Sequence, residues 1–167
     1  YSEVGLGTTF RLFWPRAQEG QPEAPLADQG EPSPHGSEHV LIVEDEALVR
    51  QFAARALQRY GYRVQGAATA EEALALFGSG QAPFDLIVID LVLPGMSGVA
   101  LSERISKDFP EVARLHCSGY PGRLMTEMGR VPAELDILAK PFSALSLAQG
   151  ARRALDRSRR VRRSEVP

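Results

Sequence analysis

The 167 residues are 44% hydrophobic and 24% charged, with a net charge of −2. One globular domain with extensions is expected, and no whole-chain field argues for nucleic acid. No apolar run approaches the ~18 residues of a membrane span, nothing resembles a signal peptide, and the single cysteine, Cys117, excludes an internal disulfide framework and fits a reducing cytosol.

The chain opens at Tyr1 in mid-pattern, which suggests a fragment of a longer protein. Residues 17–38 read as a disordered linker. They hold Pro22, Pro25, Pro32 and Pro34 with three glycines and no Lys or Arg, so they bury too little apolar surface to order themselves. Residues 1–16 lie on its far side, and residues 39–157 carry a regular pattern.

The first strand is Val40-Leu41-Ile42-Val43. A helix is predicted over Ala47–Tyr60, with Val49, Phe52, Ala53, Ala56, Leu57 and Tyr60 at helical spacing toward the sheet. Gly61 stops it. A short second strand follows around Tyr62–Gln65. Thr69 with Glu72 three residues on forms a capping box for a second helix that ends at Gly78. Leu86-Ile87-Val88-Ile89 is the third strand, and Leu93-Pro94-Gly95 a tight turn.

Leu101, Ile105 and Phe109 line a third helix. Leu115-His116-Cys117 is the fourth strand, Arg123–Met128 a weaker helix, and Ile137-Leu138-Ala139 the fifth strand. The last helix begins at Ser143, with Phe142 and Leu147 placed as a hydrophobic staple. Ala144, Leu147, Ala148, Ala151 and Leu155 face inward. Residues 151–167 hold seven arginines against Asp156 and Glu165. That reads as a solvated helix end favoured by the macrodipole, with 158–167 a basic tail.

Five strands alternating with five helices favour a parallel sheet covered on both faces. In such sheets ligands bind at the carboxyl ends of the strands, where strand order reverses. Four polar signals fall at those ends in order. They are Glu44-Asp45-Glu46, Asp90, Ser118 and Lys140.

Glu44, Asp45 and Asp90 would place three negative charges together, which a hard divalent cation resolves. Mg²⁺ takes about six oxygens and uses one or two carboxylates with phosphate oxygens. Asp45 and Asp90 suit direct ligation, Glu44 ligation through water, and the Val92 carbonyl a further oxygen. Glu46 belongs at the helix start. A carboxylate can also take a phosphoryl group as an acyl phosphate, and Asp90 ends the central strand alone. Lys140 would supply positive charge to one phosphoryl oxygen, Ser118 a hydroxyl, and Gly119 close backbone approach.

With these motifs, residues 39–157 resemble a response-regulator receiver domain of two-component signalling. The matching segments are Glu44-Asp45, Asp90 with Leu93-Pro94-Gly95-Met96-Ser97-Gly98, Ser118-Gly119 and Lys140-Pro141-Phe142. The resemblance implies an α/β, flavodoxin-like (βα)5 doubly wound parallel sheet in strand order 2-1-3-4-5. It implies Mg²⁺ (or Mn²⁺) at the acids and phosphotransfer from a phosphohistidine onto Asp90. The partner is then a histidine kinase dimerisation domain or a histidine phosphotransfer protein.

The family often places an aromatic residue where this chain has Ile137, so a rotating aromatic switch is not expected. Tyr120 and Val92 flank the phosphate position, where apolar bulk would limit water access and lengthen the acyl phosphate lifetime.

Residues 1–16, with Gly5-Leu6-Gly7-Thr8-Thr9-Phe10, resemble the end of a histidine-kinase ATP-binding domain. The whole then reads as the C-terminal part of a hybrid sensor histidine kinase. This chain is expected to be cytoplasmic and no kinase by itself. Neither nucleic acid nor membrane contact is expected, and the N-terminal strand offers an edge for dimerisation. His35, His39 and His116 lack the helical setting of a phosphodonor. A phosphate-independent binding module on the same fold is the alternative; the full acid–Ser–Lys set favours phosphoacceptance.

Overall fold

Each short apolar run becomes a strand because alternate side chains serve opposite faces of one sheet. Val40 and Ile42 of β1 (His39–Val43), with Leu86 and Val88 of β3 (Leu86–Asp90), enter one core cluster, while Leu41, Val43, Ile87 and Ile89 enter the other. Both faces are covered, so all five residues of β3 are buried. The remaining strands are β2 (Arg63–Ala67), β4 (Ala113–Ser118) and β5 (Ile137–Ala139). All pairings in this sheet are parallel, in the order β2-β1-β3-β4-β5. This is the flavodoxin-like order expected.

The computed structural model describes residues 2–3, 7–8, 33–79, 84–119 and 136–164, with side chains of 33–79, 84–119 and 136–161. The chain divides into two compact units, Tyr1–Glu31 and Pro32–Pro167. In the first, Ser2–Glu3 pairs antiparallel with Gly7–Thr8. The helix expected over Arg123–Met128, most of the linker and Tyr120 lie outside the described residues.

Helix α1 (Ala47–Arg59) and the last helix, α4 (Ala144–Ser164), cover one face. Ala53, Ala56 and Leu57 meet Leu147, Ala148, Ala151 and Leu155 there. Helices α2 (Ala70–Gly78) and α3 (Gly98–Asp108) cover the other, with Ala70, Ala73, Leu101 and Ile105 inward. The caps follow local chemistry. Thr69 accepts from Glu72 N–H at 3.1 Å, and Glu72 reaches back to Ala68 N–H at 2.6 Å. Ser97 caps α3 by accepting from Ala100 N–H, and Ser143 caps α4 by accepting from Ser146 N–H. Gly61, at φ +95°, closes α1 in the left-handed region that glycine permits. No described helix is long and apolar enough to cross a membrane.

Four expectations need correction. Phe52 does not face the sheet; it is 46% exposed and stacks on Phe142 at the helix surface, with ring centroids 6.2 Å apart. β2 starts at Arg63, because Tyr62 is withdrawn into the core and its N–H bonds Leu57 O at the end of α1. The strand runs on through Gly66 and Ala67 because β1 is there to pair with them.

Phe109 lies just past α3 as its C-cap residue and packs on Phe77, ring centroids 4.7 Å apart. Arg152 is buried rather than solvated. It forms ion pairs with Glu38 at 2.9 Å and Asp156 at 2.8 Å, while Arg159 also reaches Glu38, at 2.8 Å. Glu38 and Gly36, which donates to Tyr60 O at 3.0 Å, tie residues just ahead of β1 to this unit.

Candidate functional site

The carboxyl ends of β1, β3, β4 and β5 share one edge, so their last residues converge. Glu44 follows β1 and is buried; Asp90 ends β3 and is buried; Asp45 beside them is exposed. The three carboxylates each offer an oxygen within 4.8 Å of the others. Lys140, next after β5, reaches across. Its Nζ donates to Glu44 Oε2 at 2.5 Å and to Asp90 Oδ2 at 2.6 Å. Lys140 N–H donates to Ser118 O at 2.8 Å, so the lysine is also tied to the end of β4.

The electrostatics follow from this crowding. Burial raises the Glu44 carboxyl above its ordinary range and Asp90's charge adds to the rise, while the hydrogen bond and charge of Lys140 pull against it. Burial also pulls Lys140 down, but its hydrogen bonds to Asp90 and Glu44 outweigh this and hold its pKa above the ordinary value. One lysine thus partly neutralises a concentrated negative site. Oxygens this close, two of the carboxylates buried, suit a hard divalent cation that also keeps waters.

Asp90 is held from two sides. Val92 N–H donates to Asp90 Oδ1 at 3.0 Å, leaving Oδ2 to Lys140. The Val92 side chain is 71% exposed at the mouth of the site. Ser118 is buried at the end of β4. At Gly119 an added Cβ would meet no described atom within 4 Å, so the described fold does not itself require glycine there. Ile137 is half-buried on β5, registered with His116. Glu46 is the N-cap residue of α1, without a side-chain cap bond.

Two further residues bear on the site without a signal in the sequence. A Cβ at Gly98 would lie 2.0 Å from Asp90 O and 2.8 Å from Leu91 Cα. The start of α3 therefore presses on the backbone of Asp90 itself. Gly98 closes the Leu93–Gly98 segment, but no periodicity reveals such a contact. Arg50, on α1, donates Nη1 to Glu44 O at 2.6 Å and to Asp45 O at 3.2 Å; a lone arginine on a helix carries no signal of that.

Cys117 is buried on β4, and burial pushes its thiol up to about 12, which fits an inert core residue. His116 is buried beside it, with Nε2 2.7 Å from Ser102 Oγ. Burial lowers its pKa to about 4, so it is a neutral core histidine.

Comparison with known proteins matches this arrangement to one family. The family profile described as "Response regulator receiver domain" matches residues 40–152. The chain is 36% identical over 163 residues to the sensor kinase CckA of Brucella abortus, covering 93% of this chain and 17% of that protein. It is 29% identical over 106 residues to the receiver protein CpdR of Brucella abortus, covering 62% of this chain and 84% of that protein. The chain thus spans under a fifth of the sensor kinase but most of the receiver protein. Among solved structures, NtrX from Brucella abortus is similar at a TM-score of 0.68 and 30% identity, over 77% of this chain and 29% of that one. A receiver domain from Clostridium thermocellum shares the fold at a TM-score of 0.65 and 24% identity, over 74% of this chain and 98% of its own.

Proposed function

Because this chain belongs to the response regulator receiver domain family of two-component signalling, we propose that it accepts a phosphoryl group from phosphohistidine onto Asp90. The observation that carries the reading is the Asp90 carboxylate itself. It is buried at the end of the central strand, hydrogen-bonded by Lys140, and within 4.8 Å of the Glu44 and Asp45 oxygens. Receiver domains generally bind Mg²⁺ at such an acidic pocket. We assign Asp45 and Asp90 as ligands here, Glu44 as a ligand through water, and the Val92 carbonyl as a further oxygen. Bound there, Mg²⁺ neutralises charge on the phosphoryl oxygens.

The chain's own groups do the rest. An Asp90 oxygen bonds to phosphorus as the P–N bond of the phosphoimidazole breaks, and the imidazole leaves with the bonding pair. Little acid–base work is needed; placement and charge decide the rate. Val92 N–H fixes one carboxylate oxygen of Asp90 and so aims the other. Lys140, released from the Asp90 oxygen it bonds, holds a phosphoryl oxygen. Ser118 and the Gly119 N–H close on another.

Receiver domains work with histidine kinases or phosphotransfer proteins, and we place this one in a hybrid sensor kinase. The support is the match to CckA, whose 93% coverage is too large to fall within residues 40–152 alone. It therefore extends beyond the receiver pattern, toward the N-terminal segment that resembles a kinase ATP-binding domain.

The test is mass spectrometry after incubation with acetyl phosphate, with and without Mg²⁺, on this chain and on Asp90→Asn. One Mg²⁺-dependent phosphate, missing in the variant, is expected. A folded wild-type chain that takes up no phosphate would favour the phosphate-independent binding module instead.

A further inference from the structure

The loop joining β1 to α1 carries two of the three acids. Glu44 N–H still donates to Ala67 O at 3.2 Å, continuing the ladder between β1 and β2. The carbonyls of Glu44 and Asp45 instead receive a side chain. Arg50, on the first turn of α1, turns back and donates Nη1 to both, at 2.6 and 3.2 Å. Its path runs over Gly66 of β2, where an added Cβ would lie 3.2 Å from Arg50 Cδ and 3.3 Å from Cγ. A bare strand position thus leaves a channel for the arginine stem, and the guanidinium ends on main-chain oxygens of the acidic loop.

We propose that Arg50 is a positioning residue for the divalent-cation site. By pinning these two carbonyls it sets the directions in which the Glu44 and Asp45 side chains leave the loop. The inference rests on the metal reading given above. The physical reason is geometric. Mg²⁺ demands near-octahedral oxygens at short range, and a loop between a strand and a helix has no ladder of its own to hold its ligands that closely. Residues that orient ligands from behind are worth ~10–100-fold in metal affinity. Charge and placement make opposite demands here. Arg50's positive charge repels a dication, so as a charge alone its removal tightens binding. As a positioner, its removal weakens binding.

The experiment is a Mn²⁺ titration of the full chain, followed by electron paramagnetic resonance of the free ion. Wild type, Asp45→Asn, Arg50→Met and Gly66→Val are compared, each with its thermal midpoint. Wild type is expected to bind one Mn²⁺ and Asp45→Asn to lose most of that affinity. Arg50→Met is expected to weaken binding about tenfold, the lower end for a group acting through its neighbours.

Gly66→Val fills the arginine's channel with a β-branched side chain that suits a strand. It is expected to weaken Mn²⁺ binding while the midpoint holds or rises, an outcome that a purely structural role for Arg50 does not produce. It also keeps the test open if Arg50→Met folds poorly. Both variants binding as tightly as wild type, or more tightly, would overturn the role of Arg50 and leave the metal reading intact. A wild type that binds no Mn²⁺ would overturn the metal reading and this inference with it.

Discussion

Replacing Lys140 with methionine removes the only cation within hydrogen-bonding reach of two buried carboxylates among the described residues. In the wild type its Nζ lies 2.5 Å from Glu44 and 2.6 Å from Asp90, with side chains 20%, 7% and 9% exposed respectively. At an effective dielectric of ~20, unit charges ~4 Å apart attract by ~4 kcal/mol. Two such attractions are opposed by desolvation of the ammonium. Removing one partner of a buried pair costs ~3–5 kcal/mol, mostly because the other charge is left uncompensated. Lys140 is partly open to water, so we expect Lys140→Met to lose about 3 kcal/mol near neutral pH without divalent ions.

The loss depends on pH in a stated direction. The Glu44 carboxyl already sits above its ordinary value through burial, and losing the lysine removes a group that pulled it down. A carboxyl raised in the folded state holds its proton more tightly there than in the unfolded chain. Stability is therefore gained as pH falls through the folded pKa toward the ordinary value of 4.5. The penalty should shrink on acidification toward the ordinary carboxyl value of 4.5, and millimolar Mg²⁺ at neutral pH should restore part of it. Urea unfolding followed by far-ultraviolet circular dichroism measures all three. A variant as stable as wild type at neutral pH, or one with the same deficit at every pH, would refute the neutralising role.

Gly98→Ala should cost about 3 kcal/mol, at the upper end of overpacking, because its Cβ would meet backbone atoms of Asp90 and Leu91 that cannot rotate away. Urea midpoints measure this, and a loss under about 0.5 kcal/mol would show that the contact yields easily. His116 is neutral in the core, with a folded pKa of about 4 against an ordinary 6.5. The unfolded chain binds more protons between those values, so the stability it supports is present above pH 6.5 and lost as pH falls toward 4. That amounts to roughly 3 kcal/mol for a 2.5-unit difference, 6.5 minus 4. His116→Gln should lose correspondingly less stability than wild type over this range, and equal losses would contradict the assignment.

Much of the fold was legible because the core repeats itself in one dimension. Val40 to Val43 and Leu86 to Ile89 are continuous apolar runs, as strands buried on both faces must be. Caps such as Thr69 and Ser143 are short-range chemistry and fall where their spacing places them. The boundaries of β2 were less legible. Tyr62 has the composition of a strand residue, but the end of α1 claims its N–H, and Gly66 is a strand residue only because Ile42 lies opposite. Phe52 has the spacing of a core residue but stands at a helix surface, where Phe142 from a distant segment meets it. Arg152 reads as a solvated tail charge until Glu38, from the segment ahead of β1, is brought beside it.

The acids, the hydroxyl and the lysine were identifiable in order from the sequence alone. Each ends an apolar run, and parallel strands carry such residues to one edge. What only the tertiary structure decided is how they meet. Lys140 bridges Glu44 and Asp90 rather than facing solvent, Gly98 bears on the backbone of Asp90, and Arg50 braces the acidic loop from behind. Periodicity records which face a side chain takes within its own element. It does not record the distance between elements, and that distance determines whether two charges separated by fifty or ninety-six positions in the chain form a hydrogen bond.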